Sequence, residues 1–277
     1  LPFADAASDE LPLGRLLRLS LFQVSVGMAL ALLIGTLNRV MIVELHVPAA
    51  LVAVMVSLPL LFAPFRALIG FRSDHHRSHL GWRRVPYIWM GTMLQFGGFA
   101  IMPFALLVLA GAGQSHSAPA WVGQFGAAVA FLLVGAGLHT TQTAGLALAT
   151  DLTTPDKQAN VVGFMYVMML LGMLGSALLF GDLLTDFSPG RLVQVVQAAG
   201  VITIVLNIVA MWKQEGRSRL RKPGQGEDPS FAQAWQLFTR DAEALRRRGD
   251  ELHQALRVFR RHRVGIETRL DVDQCEH

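Results

Sequence analysis

His139 lies in the run GAGLHTTQTAG, residues 135–145, with glycines on both sides and Thr140, Thr141, Gln142 and Thr143 directly after it. A neutral imidazole can give a nitrogen to a metal centre, and the magnesium of a chlorophyll-type pigment takes an axial ligand of that kind. Glycines beside it would leave room for a flat macrocycle. Two other roles stand open on the same residues, a hydrogen bond to a facing helix and proton coupling.

A second concentration of chemistry is GFRSDHHRSHLGWRRVPY, Gly70 to Tyr87, which holds four arginines, three histidines and Asp74 between two apolar runs. A bilayer accepts such a segment only outside its core. His75, His76 and His79 lack the cysteines or carboxylates of a metal site, so none is expected. Cys275, the one cysteine, stands in a polar tail and implies neither a disulfide nor a redox role. The chain shows no nucleotide fingerprint, phosphate loop, zinc helix motif or nucleophile elbow. No catalytic residue and no enzyme activity are therefore expected.

The elements that must position these residues are membrane spans. The chain is 52% hydrophobic and 16% charged, with 26 glycines in 277 residues, and its mean hydropathy is +0.42. A net charge of +4 could suggest nucleic acid, but basic residues beside apolar runs point to an anionic membrane surface instead. A spanning helix needs about 20 apolar residues. Six stretches qualify: Leu21 to Val43, Ala49 to Ile69, Val85 to Leu109, Trp121 to Leu148, Val161 to Leu184 and Leu192 to Trp212. The expected fold is thus all-α, a polytopic membrane protein of six transmembrane helices. Residues 1–20 are read as an N-terminal segment, 21–212 as the membrane domain and 213–277 as a basic tail. Asp5, Asp9 and Glu10 ahead of a long first run argue against a signal peptide. Because the chain starts at Leu1, further residues ahead of it are expected.

Arg15 and Arg18, then Arg72, Arg77, Arg83 and Arg84, then Lys157, and finally Lys213 to Lys222 fall on one set of connections. The alternate connections hold only Arg191. The positive side is the cytoplasmic one, which predicts that both termini are cytoplasmic. Gly27, Ala31 and Gly35, and Gly137, Thr141, Gly145 and Ala149, recur at every fourth position as faces for close helix approach. Gln23, Asn38, Gln95 and Ser176 are expected to bond neighbouring helices. Arg39 and Arg66 are expected to snorkel towards water rather than sit in buried pairs.

Gly70 and Asp74, followed by Gly81, Arg83 and Arg84, resemble a variant of the major facilitator signature, a cytoplasmic clamp between the second and third helices. The basic pair here is displaced by extra residues that include His75 and His76. The wording LNRVMIVELHVPAALVAVMVSLPLLFAPFRALIGFRSD, then HLGWRRVPYIWMGTMLQFGGFAIMPFAL and LHTTQTAGLALATDLTTPDKQANVVGFMYVMMLLGM, closely resembles the PucC and LhaA family of purple phototrophic bacteria. The likeness covers roughly Leu11 to Arg240. It implies a facilitator-like protein, one six-helix half of a twelve-helix fold, that assists assembly of light-harvesting antenna complexes in the inner (intracytoplasmic) membrane. It also implies transient handling of bacteriochlorophyll and contact with antenna polypeptides, and with reaction-centre or pigment-synthesis proteins. A solute transporter or half-transporter is the alternative.

After Arg240 the expected second half gives way to an arginine-rich tail. Ala242, Leu245, Leu252, Leu256 and Phe259 fall on one helical face. Two readings stand open, a basic amphipathic helix on the inner leaflet and an unrelated sequence produced by truncation or frameshift.

Overall fold

The computed structural model describes residue 7 and residues 11–75, 82–111 and 119–214. Among these the regular structure is entirely helical, and six helices are long and apolar enough to cross a membrane. They run Leu13–Glu44, Ala49–Asp74, Val85–Leu109, Trp121–Asp151, Gln158–Leu183 and Pro189–Met211. The His76, His79 and Gly81 part of the clamp segment, Cys275 and the amphipathic stretch 242–259 lie outside the described residues.

The first helix begins at Leu13, eight residues before the Leu21 expected from hydropathy. Pro12 sets this start: its fixed φ suits a helix entrance, and its carbonyl accepts from the N–H groups of Arg15 and Leu16. Arg15 and Arg18 therefore ride on the first helix instead of preceding it. Further along, this helix loosens into two π segments, Ala31–Thr36 and Val40–Glu44. A π turn holds one more residue than an α turn, so the angular register of the side chains shifts along it. The helix stops at His46, whose φ of 52° is left-handed, with Val47 N–H reaching back to the Met41 carbonyl at 2.9 Å.

The second helix is broken. Ala49–Ser57 is α-helical, Leu58–Phe62 tightens to a 3-10 turn, and Phe65–His75 resumes the α form after Ala63 and Pro64. Pro59 and Pro64 each lack the N–H an unbroken ladder would need, and the turn forms where those donors are missing.

Glycines set how closely the other helices pack. A Cβ on Gly91 of the third helix would fall 2.7 Å from the Gly137 carbonyl, and one on Gly137 of the fourth would fall 2.4 Å from the Gly91 carbonyl. The first and fifth helices meet in the same way at Gly27 and Gly172. Two apolar cores result. One surrounds Leu32, Leu37, Phe99, Phe131 and Val196, and the other surrounds Leu19, Phe22, Leu148 and Met165.

Candidate functional site

One end of the bundle gathers the basic connections. Arg15 on the first helix and Gln214 beyond the sixth bond reciprocally: Arg15 Nε donates to Gln214 Oε1 at 3.0 Å, and Gln214 Nε2 donates to the Arg15 carbonyl at 3.2 Å. Lys157, between the fourth and fifth helices, donates to the Ala7 carbonyl at 2.7 Å.

Arg84 is the centre of this end. Its position caps the third helix, and only 5% of it is exposed. The guanidinium pairs with Asp74 at the end of the second helix, and its Nε donates to Asp151 Oδ2 at the end of the fourth at 3.0 Å. Nη1 also donates to the Ser73 hydroxyl at 2.7 Å, and that hydroxyl in turn donates to the Gly70 carbonyl at 2.9 Å. The neighbouring Arg83 donates instead to the Asp74 backbone carbonyl at 3.1 Å. A planar guanidinium offers five donors in a fixed fork, which suits it to join two carboxylates from different helices. Of the clamp residues expected from sequence, Asp74 and Arg84 are brought into direct contact and Arg83 reinforces them. Gly70 has room to spare, since a Cβ there would meet only Thr143 Cγ2 at 3.8 Å. Ser73 and Asp151 complete the cluster. Spacing within one loop could not reveal Asp151, which arrives from a helix 67 residues further on.

His139 faces the break in the second helix. Gly135, one turn earlier on the fourth helix, abuts Pro59, where a Cβ would fall 2.5 Å from Pro59 Cα. Thr143, one turn later, accepts from Arg66 Nε at 3.2 Å. Gly135, His139 and Thr143 thus form one stripe against the 3-10 turn and the helix that follows it. Arg66 Nε reaches across to the fourth helix. His139 is half-buried, and its Nδ1 is sealed from the surface with no hydrogen-bond partner. The flanking glycines are occupied by Pro59 and, at Gly137, by Gly91 and Gln95. They hold helices together and leave no gap for a macrocycle.

Other intramembrane polar groups separate into satisfied and unsatisfied sets. Ser25 donates to Asn207 Oδ1 at 2.8 Å and Asn207 Nδ2 donates to Thr92 Oγ1 at 2.9 Å, which joins the first, sixth and third helices through side chains that are fully buried. This network lay unmarked among single polar residues in the sequence. Gln95 bonds the neighbouring helix as expected, donating to Thr141 Oγ1 at 3.1 Å. Gln23, expected to do the same, is fully buried with neither amide atom partnered. Arg39 lies 3.8 Å from Glu44 in an exposed pair at the far end of the first helix.

The family model described as PUCC protein matches residues 36–249, more than half of the chain. The chain belongs to this family. Its match runs through residue 249, past Arg240 and into the charged tail. The chain is 65% identical to Protein PucC of Rhodovulum sulfidophilum over 89% of its own length and 55% of that relative. It is 64% identical to Protein PucC of Rhodobacter capsulatus over 86% of its length and 52% of the relative. A more distant relative, the bacteriochlorophyll synthase 44.5 kDa chain of Rhodobacter capsulatus, is 29% identical over 73% of the chain and 45% of that protein. The chain spans about half the length of these curated relatives. No solved structure matches it.

Proposed function

We propose that this protein assists assembly of bacterial light-harvesting antenna complexes, handling or delivering bacteriochlorophyll or escorting antenna polypeptides, without catalysing a reaction itself. The observation that carries this reading is identity of 64–65% with proteins named PucC across nearly all of the membrane domain. The relative named for bacteriochlorophyll synthase supports the link to pigment. In this reading the protein lies in the inner, intracytoplasmic membrane. The end that carries Arg15, Arg84, Lys157 and Gln214 faces the cytoplasm, because the positive excess belongs there.

His139 is the residue we assign to the pigment. Bacteriochlorophyll would supply a magnesium that takes a nitrogen ligand. Because the glycines beside His139 are filled by Pro59, Gly91 and Gln95, a pigment held by this half-buried imidazole would have to lie on its exposed side. Purification in mild detergent from phototrophically grown membranes, followed by absorption spectroscopy and identification of bound polypeptides, tests the proposal. Pigment or antenna polypeptides should accompany the protein. Absence of both would overturn the assembly role.

A second reading, a facilitator-type transporter or half-transporter, is favoured by the ion pair of Asp74 with Arg84 at the clamp. It predicts substrate flux in vesicles that Asp74→Asn abolishes, with no dependence on pigment.

A further inference from the structure

Arg66 carries a charge at membrane depth with no carboxylate beside it. Counting along the helix, it lies about 12 Å from Asp74 at 1.5 Å per residue, and Asp74 and Asp151 are both engaged by Arg84. Its Nε donates to Thr143 Oγ1. Among the described residues the other guanidinium N–H groups have no acceptor. An arginine in a membrane span is costly unless it reaches water or an anion, and the bond to Thr143 fixes the Nε of this one. The second helix is largely bare of protein, with Leu60, Leu61 and Phe65 exposed. Donors without acceptors therefore adjoin an open apolar surface.

We infer that Arg66, held in place by Thr143, binds the oxyanion of an amphipathic acid whose apolar body lies along the exposed side of the broken second helix. The recognised group is a carboxylate or a phosphodiester. A guanidinium fork suits either, because it can bond two oxygens at once. The Thr143 hydroxyl holds the fork in place by accepting at Nε. This inference does not depend on a role in antenna assembly. It concerns an acid entering from the bilayer, whatever the protein does with it.

Native mass spectrometry of the full chain in mild detergent tests it, with phosphatidylglycerol, oleate, phosphatidylcholine and inorganic phosphate added separately. Wild-type protein should retain at least one of the two acids and not phosphatidylcholine. Arg66→Gln should weaken that retention about tenfold, and Arg66→Lys by less, since charge remains while the fork is lost. Retention of phosphatidylglycerol alone would identify a lipid phosphodiester as the ligand, and retention of oleate alone a carboxylate. Equal retention by wild type and Arg66→Gln would overturn the proposal, as would equal retention of phosphatidylcholine or binding of inorganic phosphate only. Thermal denaturation of each variant, run in parallel, separates lost binding from lost folding.

Discussion

Arg84 Nε donates to Asp151 Oδ2 at 3.0 Å while the same guanidinium holds Asp74, so one buried cation ties the ends of the second, third and fourth helices. The two carboxylates are nearly half exposed and can regain water if the arginine is lost; the arginine, with 6% of its side chain exposed, cannot do so if they are lost.

Removal of either acid alone leaves Arg84 paired with the other and still bonded to Ser73. Asp74→Asn and Asp151→Asn should each cost about 1 kcal/mol, a figure discounted for the exposure of the acids. The double variant should cost more than the sum, because both carboxylates that face the buried guanidinium are then gone. Thermal unfolding in detergent measures all three, and strict additivity would show that Arg84 does not couple them.

Gly27 and Gly35 fall on one four-residue spacing in the sequence, yet of the two only Gly27 meets a neighbouring helix. A Cβ at Gly27 would fall 2.1 Å from the Met169 carbonyl, so Gly27→Ala should separate the first and fifth helices at a cost of about 1–3 kcal/mol. Gly35 has nothing within 4 Å. Gly35→Ala should leave stability unchanged or raise it by about 0.5–1 kcal/mol through reduced backbone entropy. Melting temperatures that move equally for both would contradict this assignment.

Gln23 and Asn207 are both fully buried amides in opposite circumstances. Gln23→Met removes two unsatisfied atoms at similar volume and should stabilise the fold by about 1 kcal/mol. Asn207→Leu breaks the bonds to Ser25 and Thr92 and should destabilise it by about 1–3 kcal/mol. Denaturation of the two variants beside wild type checks the signs, which should be opposite.

His139→Leu keeps the span apolar and deletes the ligating nitrogen. The pigment absorption recovered with the purified protein should fall while its yield and unfolding temperature stay close to wild type. Unchanged pigment recovery would show that His139 is not the axial ligand.

Apolar run length alone determined the six spans, because a helix that crosses lipid must satisfy its own backbone and cover about 30 Å. Most of their ends fall within about a turn of the boundaries read from hydropathy. Charge placement separated the basic connections from the others, and the bonds of Arg15 with Gln214 and of Lys157 with Ala7 gather several of those basic groups at one end. The resemblance to the facilitator signature also brought Asp74 and Arg84 to notice. Asp151, Ser73 and the Ser25, Asn207 and Thr92 network were decided by tertiary structure, since contacts between distant helices leave no local period to read. The same is true of the glycines: the π segment Ala31–Thr36 changes the register of the first helix, so a stripe drawn at every fourth residue loses its partner between Gly27 and Gly35. Sequence showed Arg66 as a charge near a helix end. Only the fold, by breaking the second helix at Pro59 and Pro64 and setting it against Thr143, gave that charge a partner on the fourth helix with no acid beside it.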